Sequence, residues 1–161
     1  MNRKLLMDSS EKYHGEIHLF LGIVTALVAY TVTGADLLLL LIVSIIGAFL
    51  PDIDHIFYLF FYGRKSKYAS EARSILLKQG VIKYIEYCKV NHKNNTEIKS
   101  HNVLVVLGLM GVSLYFGFVN DPIWLAFFIS NTLHFVFDMA EDLLFFGKLN
   151  GNWWLKFGQR R

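Results

Sequence analysis

Four stretches of the chain, 17–35, 37–51, 101–120 and 122–137, contain no Asp, Glu, Lys or Arg and are dense in Leu, Ile, Val and Phe. A helix that crosses a bilayer needs about 20 apolar residues, so the first and third qualify by length alone. The second and fourth are short and must borrow flanking residues or tilt. None of the runs shows the polar stripe that marks a helix on the surface of a soluble bundle. The pattern predicts an all-α, polytopic membrane bundle of four hydrophobic helices in two hairpins. Gly34-Ala35-Asp36 turns the first hairpin and Asn120-Asp121-Pro122 the second. Pro51 forbids a regular helix through this point, because its ring clashes with the preceding turn, so the acidic cluster after it can turn inward. A polar insert, 63–100, separates the hairpins. Within it 70–90 reads as one amphipathic helix with Ile75, Leu76, Ile82 and Ile85 on one side, and 91–95 as a loop. At 161 residues the expectation is a single membrane domain over 1–161.

Charge adds an orientation. The 16 Lys and Arg residues fall in three places: three before Gly15, nine in 64–99 and four after Phe146. Neither short turn has one. The positive-inside rule then places both termini and the insert in the cytoplasm, in a multi-pass protein of the cell (inner) membrane. The start of the chain is polar, and the apolar run that follows lacks a small-residue cleavage site, so that run reads as a retained helix. An apolar share of 54% exceeds the soluble norm of about 45–50%. The single cysteine, Cys88, excludes a disulfide framework and a cysteine-built zinc cage. The insert's basic residues are diluted by Glu71, Glu86 and Glu97, and a juxtamembrane position accounts for them, so no nucleic acid is expected as a partner.

Five of the six histidines stand at the edges of the apolar runs. His14 and His18 flank the start of the first run, four residues apart and so on one side of a helix. Pro51-Asp52-Ile53-Asp54-His55 closes the second, His101 opens the third, and His134 with Asp138 ends the fourth. In the predicted topology these ends share one membrane face. Carboxylates gathered there would repel one another, and each costs roughly 2.5–3.5 kcal/mol toward the bilayer centre. A divalent cation removes both penalties, and mixed His and carboxylate ligands suit zinc first, with manganese or iron as alternatives. His92, in a polar loop, reads as solvated.

At these residues the chain resembles the YdjM family of predicted membrane-bound metal-dependent hydrolases. The resemblance is carried by His18-Leu19 leading to Gly22, Gly47-Ala48-Phe49-Leu50-Pro51-Asp52-Ile53-Asp54-His55, Lys99-Ser100-His101, and His134 to Asp138 with Gly147 beyond. Two departures stand out: Lys99 where an Arg is usual, and Glu141-Asp142 where a Thr is common. The family is similar to zinc-dependent phospholipase C, which implies a phosphoester or phospholipid-type substrate at the membrane. A hydrolase of this kind would use His18, Asp52, His101, His134 and Asp138 as metal ligands, with Asp54 as catalytic base or bridging ligand. His14, His55 and Asp142 would orient the ligands, and Lys99 with the basic insert would hold a phosphate. Two other functions fit the same residues: a non-catalytic protein with a structural metal or an adaptor role, and a divalent-metal transporter. Transport sites favour the bilayer midplane, and these groups cluster at one end.

Overall fold

The computed structural model describes residues 3–91 and 98–154, the Lys89 side chain excepted. Every regular element among the described residues is helical. Helix α1 (Arg3–Lys12) leads into α2 (His14–Thr33), which ends at Gly34 in the left-handed conformation, φ 68°. Asp36 then caps α3 (Leu37–Phe49) by accepting from the Leu39 N–H at 2.7 Å. After the insert come α7 (Val103–Phe118) and α8 (Pro122–Phe146). Asn102 caps α7, and Asp121 caps α8 with Pro122 at its first turn, where the missing N–H costs nothing.

Three helical stretches are long and apolar enough to cross a membrane: His14–Thr33, Leu37–Tyr62 and Pro122–Phe146. Helix α7, at 16 residues, is shorter. These lengths reverse part of the sequence pattern. The third run spends His101 and Asn102 on its entry and cap, so its helix is the shortest. The fourth continues well past 137, until Gly147 ends it at φ 68°. The second does not stop at Pro51. The chain tightens there into a 3-10 turn (Leu50–Asp52), which tolerates the absent N–H, and runs on through α4 (Ile53–Phe57) into a π-helical segment (Tyr58–Tyr62).

The amphipathic helix expected over 70–90 is two helices. Gly80, at φ 87°, separates α5 (Lys67–Gln79) from α6 (Val81–Asn91), a backbone angle that a side chain would strain. Ala69 and Ala72 of α5 are fully buried against Tyr58, Leu59 and Ile98. Arg73 reinforces the joint, donating to the carbonyls of Leu59 and Arg64. The rest of the expected loop, with His92, lies outside the described residues.

Small residues set the packing of the long helices. Helix α3 lies between α2 and α8, and α7 packs on α8. Gly22, Ala26, Ser44, Gly47, Ala48, Ala126 and Ser130 are buried at these contacts, whereas Val32, Leu38, Leu114 and Phe118 face outward. This inversion suits a lipid surround, where close backbone approach replaces the hydrophobic effect as the adhesive. A Cβ built on Gly47 would stand 2.4 Å from the Phe127 carbonyl oxygen of α8. At the far end, Arg3 donates to the Leu144 and Phe145 carbonyls at 2.9 and 3.2 Å, placing a cation where α8 leaves its acceptors unpaired.

Gly47→Ala is therefore expected to destabilise the purified protein by about 1–3 kcal/mol through overpacking. Gly108→Ala, on α7 with no atom near its added methyl, should leave stability unchanged or raise it slightly. Thermal melts in detergent compare the two, and equal melting temperatures would show that the α3–α8 approach is not limiting.

Candidate metal centre

The buried stripe on α8 runs Ala126, Ser130, Asn131, His134, Phe135, Asp138, Glu141 and Asp142, steps of three and four that keep one face inward. The upper part of that stripe is apolar or small, and the lower part is ionisable. His134 and Asp138 sit in the middle of the helix rather than at its end, since α8 continues for two further turns.

Around Asp138 the chain brings four imidazoles. Oδ2 lies 3.1 Å from His101 Nε2 and 3.3 Å from His134 Nε2. Oδ1 lies 3.6 Å from His18 Nε2 and 3.9 Å from His14 Nε2. His14 and His18, one turn apart on α2, meet through their Nε2 atoms at 3.1 Å. The Asp52 carboxylate, delivered by the 3-10 turn after α3, comes to 3.7 Å from His134 Nε2. Two compact triads result, His14/His18/Asp138 and His101/His134/Asp138, each with its three donor atoms mutually within 4.8 Å.

The far side of three rings is tied to a partner. His134 Nδ1 donates to the Ala48 carbonyl at 2.7 Å, one of the acceptors that the end of α3 leaves open. His14 Nδ1 donates to Glu141 Oε2 at 3.1 Å, and His101 Nδ1 meets Ser100 Oγ at 3.0 Å. A carbonyl cannot donate, so Nδ1 of His134 carries a proton, and in the neutral tautomer this leaves, Nε2 aims its lone pair at an Asp138 oxygen. That Nε2 and Asp138 Oδ1 are buried without a hydrogen-bond partner. Lone pairs facing lone pairs in a closed space are unfavourable, and a cation between them resolves the conflict. The donor set fits a divalent metal.

The other residues singled out by the sequence lie around this core. Asp54 belongs to neither triad. It accepts from the Ser100 N–H at 2.8 Å and from the Tyr62 hydroxyl, tying α4 to the segment that carries His101. His55 stands edge-on to His101 with ring centroids 5.2 Å apart. Lys99 lies over the Tyr62 ring, its Nζ 4.7 Å from the centroid. Asp142 accepts from the Trp153 indole N–H at 2.6 Å and the Asn150 N–H at 3.2 Å, docking the short 3-10 turn Gly151–Trp153. Sequence reasoning missed Glu141, which also accepts from the Ser10 hydroxyl of α1. The signal was present: Glu141 follows His134 by seven residues and Asp138 by three, the spacing of one helical face.

The triads open into a cavity of about 380 Å³. His14, Asp52, His101 and Asp138 form its polar floor, and Ile56, Leu59, Tyr84, Ile85 and Cys88 its apolar wall. Burial, first among the causes, pushes the Tyr68 and Tyr84 phenols up from their ordinary value, so both stay neutral. Among the described residues that line it are Glu11, Asp52, Asp138 and Asp142, and no Lys or Arg.

The family model of the YdjM inner membrane protein matches residues 14–143, from the first histidine of the cluster to just past Glu141 and Asp142. The chain belongs to the YdjM family. With its long apolar helices, that membership makes it a multi-pass protein of the inner membrane. No curated protein and no solved structure gives a match. The YdjM match takes in the α5–α6 insert as well as the cluster, but not α1, whose Ser10 reaches Glu141 from outside it.

Removing the hydrogen-bonded partner of a metal-binding histidine typically weakens metal affinity about 10–100-fold. Glu141→Ala, which leaves His14 Nδ1 without its acceptor, should do so for Zn²⁺ or Mn²⁺, measured by calorimetry on the metal-stripped protein. Asp142→Ala should act mainly on the melting temperature, since an unpaired buried indole N–H costs about 1–3 kcal/mol. The opposite ordering of the two variants would reverse these roles.

Proposed function

We propose that this YdjM-family chain is a membrane-bound, divalent-metal-dependent hydrolase of a phosphoester-type amphiphile such as a phospholipid. The cavity carries the reading, because it joins a His/Asp floor to an apolar wall within one space. Sites that bind small molecules combine an apolar lining with a few convergent polar groups in this way. An ion that served only as a structural clamp would sit in a closed shell, whereas this floor opens into the cavity.

His18, His101, His134 and Asp138 would hold the cation, with zinc favoured by the mixed imidazole and carboxylate set. A bound divalent cation supplies Lewis acidity and lowers the pKa of a coordinated water toward about 7. The chain's own groups do the rest. Asp52, whose side chain is 40% exposed on the cavity floor, takes a proton from the attacking water. His55, on the cavity wall beside His101, returns a proton to the leaving oxygen. Asp54 acts as a positioning residue, holding Ser100 and so the approach to His101, in place of the base role its sequence context suggests. Ile56, Leu59, Tyr84 and Ile85 exclude water and pack the apolar part of the substrate.

The distribution of basic residues supports a topology to go with it. The four apolar helices cross the bilayer as two hairpins within one membrane domain. Helix α7, about 24 Å long at 1.5 Å per residue, draws on flanking residues or a thinned bilayer. The insert and both ends lie on the cytoplasmic side with the basic residues.

Purified protein in nanodiscs, supplied with Zn²⁺ or Mn²⁺, is expected to release headgroup or phosphate from a phospholipid panel. Asp52→Asn should lower kcat by about 10²–10⁴-fold, the usual weight of a general base, while metal stays bound. Ile85→Asp should raise KM for a long-chain substrate far more than for a water-soluble phosphodiester. A metal-loaded protein inert on every phosphoester would end the hydrolase reading.

A further inference from the structure

We propose that the cluster holds two divalent cations at once, one in each triad, with the Asp138 carboxylate bridging them. The inference rests on the metal-dependent reading and extends it from one ion to a pair. Three observations support it.

The first is the division of the donor atoms. The triads share only Asp138, and they meet different oxygens of it: Oδ1 toward His14 and His18, Oδ2 toward His101 and His134. Bonds of about 2.0–2.1 Å to a tetrahedral zinc imply ligand-to-ligand edges of roughly 3.3 Å. The three edges of the first triad measure 3.1, 3.6 and 3.9 Å. The two edges from Asp138 in the second measure 3.1 and 3.3 Å. These edges lie close to that length, and each triad keeps its three donor atoms within 4.8 Å of one another, so each offers three ligands to an ion of its own.

The second is the stacking of His18 on His134. Their rings lie nearly parallel, 18° apart in plane, with centroids separated by 3.9 Å. They belong to different triads, and their Nε2 atoms meet different Asp138 oxygens. The stack therefore sets one ring of each triad directly beside a ring of the other, so the two sites are immediate neighbours.

The third is charge. Asp52, Asp138, Asp142 and Glu11 line the cavity, Glu141 lies just behind His14, and no Lys or Arg is among the described residues that line it. One divalent ion leaves this lining net negative, which would repel a phosphoester anion. A second offsets most of the remaining charge. With no Lys or Arg among the described residues at the floor, metal is the counter-charge that those residues can hold there.

The test counts ions. Metal-stripped protein, reloaded with Mn²⁺ or Zn²⁺ and passed through a desalting column, is assayed by elemental analysis against protein concentration. The expected result is two equivalents for the wild type, one for His14→Ala and one for His101→Ala. His14 is partly exposed, so its truncation spares the core, and unchanged elution and helical circular dichroism confirm the fold. Electron paramagnetic resonance needs no variant: the Mn²⁺-loaded wild type should show an exchange-coupled pair, and His14→Ala the hyperfine pattern of an isolated ion. One equivalent in the wild type with an uncoupled signal overturns the pair and leaves a single-ion hydrolase standing. A second equivalent that survives in both variants places that ion elsewhere and also overturns it. No bound metal at all overturns the pair and the proposed function together.

Discussion

A carboxylate in the middle of an apolar helix is costly, and Asp138 is 6% exposed near the centre of α8. On insertion scales an unpaired Asp at such a position costs about 2.5–3.5 kcal/mol. The arrangement of the described chain answers that cost. Two histidines from the first turns of α2, one from the approach to α7 and one from the preceding turn of α8 bring their Nε2 atoms toward its two oxygens. Three of those imidazoles are in turn oriented, His14 by Glu141, His101 by Ser100 and His134 by the Ala48 carbonyl. The functional groups and the constraint on burial are therefore the same residues.

Such convergence demands that helices carrying short side chains approach closely. Gly47 lets α3 come against the Phe127 carbonyl, and the same approach brings the Ala48 carbonyl one residue later to His134. Pro51 then matters less as a breaker than as the cause of a tighter turn, which delivers Asp52 beside His134 while the helix continues beneath it. The continuation ends in the π segment, whose Leu59 carbonyl is taken up by Arg73 of α5. Through that joint the amphipathic pair is fastened over the cluster and becomes one wall of the cavity instead of a free surface helix.

The class of the fold was legible in the sequence, because charge-free runs of this length have few other interpretations. So was the meeting of His14, His18, Asp52, His101, His134 and Asp138, which follows from where those residues fall at the run edges. Element lengths were not. Met139 to Phe146 holds Glu141 and Asp142, which break an apolar run without breaking a helix, so α8 is longer than its hydrophobic core. The break at Gly80 was hidden because apolar residues on either side of it keep a helical rhythm. Asp54 illustrates a different limit. A carboxylate two residues from Asp52 is indistinguishable from it by composition, and only the path of the chain shows that it reaches Ser100. Glu141 was obscured for the converse reason, since it looks like an ordinary solvated acid until α1 and His14 close over it.

The order of the elements along the chain carries a consequence for how such a protein is made. Asp138 lies on α8, the last of the long apolar helices, whereas His14, His18 and Asp52 are synthesised well before it. During biosynthesis those early groups enter the membrane with no shared carboxylate to meet. The cluster of imidazoles and carboxylates cannot close until α8 packs against its neighbours. A nascent chain arrested before that point lacks the carboxylate that both triads share.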